Sequence, residues 1–129
     1  MFEVGVVAQF EAAHALRGDF GPASRRHGHT YRVEVAVRGN NVREDGALCD
    51  IGLLQTIVQE VVSELHFRDL DEVAMFAGRN TTAEVVAAVL FEQIALRLAD
   101  EGLDTLAVRV WESPQAYAYY ENELGASSA

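Results

Sequence analysis

The chain has 129 residues, 50% of them hydrophobic, with twenty acidic residues against ten basic ones and a net charge of −10. That length fits one domain with a real apolar core, and the charge argues against nucleic acid, whose phosphates call for clustered Lys and Arg. All ten basic residues are Arg and the one cysteine is Cys49, which excludes a Schiff-base or P-loop lysine and an internal disulfide.

Residues 2–13 are apolar and β-branched enough for a strand, with Val4 and Val6 on one face. Residues 17–26 contain Gly18, Asp19, Gly21, Pro22 and Ser24, a loop signature. From His27 to Arg38 the chain alternates. Tyr31, Val33, Val35 and Val37 share a face with His27 and His29, while Thr30, Arg32, Glu34 and Arg38 point the other way. The polar stretch 39–46 reads as a turn, and the two strands are expected to pair as a long antiparallel hairpin.

Asp50 can cap a helix over about 51–65, in which Leu54, Ile57, Val58, Val61 and Leu65 recur at helical spacing. Residues 66–79 form a charged connection. Thr81 and Glu84 match a capping box ahead of a second helix over about 83–99, which buries Val86, Val89, Leu90, Ile94 and Leu98. A third strand covers about 106–112, Ser113-Pro114 turns the chain, and a fourth strand covers about 116–120. The order is ββααββ: an α+β domain over 1–122, with four antiparallel strands and both helices on one face. A frayed tail over 123–129 follows. No apolar run reaches the roughly 20 residues of a membrane helix, and Met1-Phe2-Glu3 lacks signal-peptide features. A soluble, cytoplasmic protein is expected.

Three histidines carry the chemistry. His27 and His29 are two apart on a strand, so both imidazoles project from one face, and His14 ends the preceding strand, where pairing can bring it alongside. Three neutral imidazoles without an obvious fourth ligand describe a catalytic zinc site with an open position. His-only ligation also suits iron, nickel or copper. The i, i+2 pair alone is a weak signal; the third histidine strengthens it. Glu112 follows Trp111 at a strand end. On position alone it is a solvated strand end; functionally, its carboxylate can take the paired N–H groups of a flat guanidine-like heterocycle. Thr81 and Thr82 read most simply as a cap, which leaves their backbone able to touch a ligand.

Phe10-Glu11-Ala12-Ala13-His14, His27-Gly28-His29-Thr30-Tyr31, Asp50, Asn80-Thr81-Thr82-Ala83-Glu84 and Val110-Trp111-Glu112 follow one another through nearly the whole chain. In that order they resemble the 6-pyruvoyl-tetrahydropterin synthase family, which includes the 6-carboxy-tetrahydropterin synthases. The resemblance implies the tunnelling fold, in which ββααββ subunits join their sheets into a trimeric barrel that stacks into a hexamer. It implies Zn2+ on His14, His27 and His29, and a pterin gripped by Glu112 with help from the Thr81-Thr82 backbone, at sites between subunits.

The resemblance breaks where protons should move. Family enzymes act on 7,8-dihydroneopterin triphosphate with a cysteine four residues before the His-Gly-His motif; here that position is Ala23. Cys49, just before the Asp50 cap, reads as a core filler. The family's Leu-Asp-His relay segment is replaced by Leu65-His66-Phe67, with Asp69 and Asp71 nearby. His66 and Ser24 are the remaining candidates for acid–base work, the imidazole being the better one because it titrates in the useful range. The expected function is a zinc-dependent pterin-synthase-like lyase on 7,8-dihydroneopterin triphosphate or a related pterin- or purine-derived substrate, with the standard reaction weak or absent. The alternative is a non-catalytic pterin-binding protein that keeps the metal site.

Overall fold

The computed structural model describes residues 1–99 and 102–125. Strands β1 (Phe2–His14) and β2 (His27–Gly39) pair antiparallel along their whole length, from Phe2 opposite Gly39 to His14 opposite His27. Alternation then decides what is buried. Val6, Ala8, Phe10, Ala12 and His14 of β1, with Tyr31, Val33, Val35 and Val37 of β2, form the covered face. Phe10 and Tyr31 stack across the pair with ring centroids 4.8 Å apart.

Helix α1 (Ile51–Ser63) starts at Asp50, whose carboxylate accepts the Leu53 N–H at 3.1 Å. It lies over β1 and buries Leu54, Ile57, Val58, Val61 and Val62. The helix ends two residues earlier than its apolar spacing suggests. Leu65 is still fully buried, but in a turn where its N–H reaches the Val62 carbonyl.

The sheet is five-stranded and mixed, in the order β3-β1-β2-β4-β5, rather than four-stranded and antiparallel. The added strand β3 (Arg68–Asp69) runs parallel to Ala12–Ala13. Two residues are too few to show an alternation, so this strand has no signature in the sequence. Phe67 reverses the chain into this strand with φ of 58° and donates its N–H to the Glu11 carbonyl at 2.7 Å. A short 3-10 turn, Leu70–Glu72, follows, with Leu70 fully buried.

Helix α2 (Ala83–Arg97) lies over β4 (Thr105–Ser113) and β5 (Ala116–Glu123). Its cap is Thr82, whose hydroxyl accepts the Val85 N–H at 3.2 Å, and not Thr81. Thr81 is fully buried and gives its hydroxyl to Asp71 at 2.8 Å, so the observed cap lies one residue beyond the Thr81 and Glu84 pattern. Of the expected tail, Glu123 ends β5, while residues 126–129 lie outside the described residues. No described helix is long and apolar enough to cross a membrane.

Candidate metal centre

Strand register brings the three histidines together. His14 ends β1 directly opposite His27, the first residue of β2, and His29 follows on the same face opposite Ala12. Their ring centroids stand 4.5 Å (His14–His27), 5.1 Å (His14–His29) and 4.8 Å (His27–His29) apart. One nitrogen from each lies within 4.8 Å of the other two.

Neighbouring carbonyls fix which nitrogens face inward. His14 donates Nδ1–H to the Thr81 carbonyl at 2.8 Å, and His27 donates Nδ1–H to the Arg25 carbonyl at 2.6 Å. Each bond requires the Nδ1–H tautomer and leaves Nε2 with a lone pair, the usual arrangement of a metal-binding imidazole. His29 Nε2 is buried with no hydrogen-bond partner. A buried polar atom without a partner costs about 1–3 kcal/mol unless something satisfies it. Three neutral nitrogen donors, one of them orphaned, fit a borderline first-row cation. Burial lowers the His29 pKa, with the charge of Glu112 opposing that shift, so His29 is neutral and ready to coordinate near neutral pH.

The Tyr31 hydroxyl lies 3.4 Å from His14 Nε2. Burial pushes its phenol far upward, with Glu112 and Asp71 adding to the effect, so it remains a neutral O–H. This residue was not singled out from the sequence. Its signal was available, because it shares the histidine face two residues beyond His29.

Glu112 stands on the same face. The β4–β5 register slips between Trp111, opposite Tyr117, and Ser113, opposite Ala116. Glu112 is therefore the extra residue of a β-bulge, a feature that re-aims a side chain at a strand end. Its negative charge acts on both His29 and Tyr31, opposing the fall of the one pKa and adding to the rise of the other.

The other candidates sit at varied places. The Thr82 N–H donates to the Asn80 carbonyl and its hydroxyl caps α2, while Thr81 joins the histidines through its carbonyl. The Ser24 hydroxyl donates to the Gly18 carbonyl at 2.9 Å and accepts the Phe20 N–H, so it braces the 15–26 loop. Ala23 accepts the Leu16 N–H in that loop. His66 lies exposed at the outer edge of β1, where its Nδ1 accepts the Glu11 N–H at 3.0 Å. Cys49 packs against the core and lines a cavity with Val37, near the end of β2 remote from His27.

The sequence pattern of 6-pyruvoyl tetrahydropterin synthase matches residues 3–123. A 6-carboxy-5,6,7,8-tetrahydropterin synthase of Haemophilus influenzae is 26% identical, over 94% of this chain and 99% of that protein. A dihydroneopterin monophosphate aldolase of Pyrococcus furiosus is 34% identical, over 81% of this chain and 84% of the other. Among solved structures, the 6-pyruvoyl tetrahydropterin synthase of Caenorhabditis elegans superposes with a TM-score of 0.82 at 25% identity, covering 94% of this chain and 95% of that one. The chain thus belongs to the 6-pyruvoyl tetrahydropterin synthase family.

Proposed function

We propose that the protein is a zinc-dependent lyase acting on 7,8-dihydroneopterin triphosphate or a related pterin- or purine-derived substrate, as a cytoplasmic homotrimer or hexamer. One observation carries the reading: one nitrogen from each of three imidazoles lies within 4.8 Å of the others, and His29 Nε2 is a buried orphan. Zinc held by His14, His27 and His29 would acidify the hydroxyls of a substrate side chain.

The chain's own groups divide the remaining work. Glu112 accepts the paired N–H groups at the edge of the flat ring. The Thr81-Thr82 main chain contacts the same ring. His66 holds its proton on Nε2, because Nδ1 is occupied as an acceptor, and it is the first candidate to move a proton. Ser24 is the second, and its hydroxyl must first leave the Gly18 carbonyl.

Triphosphate elimination requires a base for the carbon next to the ring. Ala23 cannot supply one, and Cys49 sits toward the other end of β2, so that reaction is expected to be weak or absent. A carbon–carbon cleavage is the second reading, favoured by the likeness to the Pyrococcus furiosus aldolase. Such a cleavage takes a proton from a side-chain hydroxyl and returns one to the ring-attached carbon. It does not depend on a thiolate at position 23.

The test is turnover by the zinc-loaded chain of dihydroneopterin triphosphate and of the monophosphate, following triphosphate release and release of a two-carbon aldehyde phosphate. Loss of turnover in His66→Ala supports His66 as the proton carrier; unchanged turnover removes it. Tight pterin binding without turnover of either ester supports a non-catalytic pterin-binding protein instead. Absence of both binding and turnover refutes the proposal.

A further inference from the structure

We infer that Asp71 is a positioning residue for the metal cage, one carboxylate that ties together the chain segments presenting His14 and His27. The inference rests on the metal reading above. Oδ2 of Asp71 accepts the Ala15 N–H at 3.0 Å and an Arg26 N–H at 2.7 Å, and Oδ1 accepts the Thr81 hydroxyl at 2.8 Å. Each partner adjoins a histidine. Ala15 follows His14, Arg26 precedes His27, and Thr81 receives the Nδ1–H of His14 on its carbonyl.

The position of the anchor is set by other contacts. β3 pairs with Ala12–Ala13, Leu70 is fully buried, and the Asp69 carboxylate accepts the Asp71 N–H at 3.0 Å. Asp69 also accepts an Arg26 N–H at 2.8 Å, so the guanidinium spans both carboxylates. This support matters because His14 and His27 are joined by the long 15–26 loop, and a tight turn would have held the strand ends without help. Burial works against charge on Asp71. The Ala15 N–H, the Arg26 guanidinium and the Thr81 hydroxyl outweigh it and hold the carboxyl below its ordinary range.

Groups that orient ligands from behind typically change metal affinity by about 10–100-fold when removed. The experiment measures zinc affinity of the full chain by competition with a chromophoric chelator, together with the cobalt(II) spectrum and the melting temperature of the metal-free protein. Asp71→Ala and Asp71→Asn are expected to bind zinc about 10–100-fold more weakly, with an altered cobalt spectrum. Thr81→Val removes the Oδ1 partner and a longer hydroxyl contact to His14 Nδ1 at 3.4 Å but keeps the Thr81 carbonyl, and is expected to lose less. Asp45→Asn serves as the control: Asp45 also accepts one N–H and pairs with an arginine, Arg43, but in the loop beyond the far end of β2. It should leave zinc affinity unchanged even if it melts earlier. If wild type binds zinc tightly and folded Asp71→Asn or Thr81→Val binds it within twofold, the inference is overturned while the metal site stands. A wild-type chain that binds no zinc overturns both. Should Asp71→Ala not fold, the Asn and Val variants decide.

Discussion

Replacing Glu112 by Gln tests the recognition half of the site. The substitution keeps size and one acceptor oxygen but turns the other into an NH2 donor, which in the proposed complex would oppose the N–H groups of a pterin edge. A hydrogen bond to a charged group contributes about 1.5–3 kcal/mol. Losing one such bond weakens binding about 10–150-fold at 25 °C. The fold should tolerate the change, because Glu112 is only half-buried and sits at the register slip between Trp111 and Ser113. Withdrawing its charge also removes a group that opposes the downward shift of His29, so the imidazole becomes more firmly neutral and metal binding should survive. The assay is fluorescence titration of the zinc-loaded wild type and variant with a reduced pterin, and with a pteridine lacking the 2-amino group. The penalty should appear with the pterin and largely vanish with the deaminated ligand. Equal affinities for the pterin, or an equal penalty for both ligands, would refute the pairing of Glu112 with that edge.

Thr82→Ala removes the α2 cap and is expected to cost about 1 kcal/mol in urea unfolding, whereas Thr82→Ser keeps the acceptor; equal stabilities for all three would contradict the cap. The Asp71 carboxyl is depressed in the fold relative to its ordinary 3.8. Its contribution is therefore fully present above that value and is lost as pH falls through the lower folded one. The stability gap between wild type and Asp71→Asn should hold from neutral pH to about 4 and narrow below it; a gap that persists in stronger acid would show that the charge is not its source. Ala23→Cys places a thiol, partly ionised near neutral pH, at the position the family resemblance reserves for it. Triphosphate release should rise; no gain would mean that the Leu65-His66-Phe67 departure also breaks the relay.

Much of this site is legible in the sequence, because the relevant spacings are local. A period of two puts His27, His29, Tyr31 and the valines of β2 on one face, and the turn-free alternation of both strands sets their pairing. Asp50, an N-cap residue ahead of a helical apolar spacing, marks the start of α1 in the same way. Patterns of this kind record which face a side chain takes, and the burial of that face follows.

What only the tertiary structure decided is how distant segments spend their hydrogen bonds. Sequence spacing offers Thr81 and Thr82 alike as the cap; in the fold Thr82 caps α2, while Thr81 turns its carbonyl to His14, 67 residues away, and its hydroxyl to Asp71. β3 is too short to show a period, yet it seats Asp71 where the carboxylate meets Ala15, 56 residues distant, and Arg26, 45 residues distant. The bulge that leaves Glu112 without a partner on β5 is set by the register of β4 against β5. Side-chain periodicity is written within a few residues, whereas the partner of a buried polar group is chosen by whichever donor or acceptor the closed chain brings within about 3 Å.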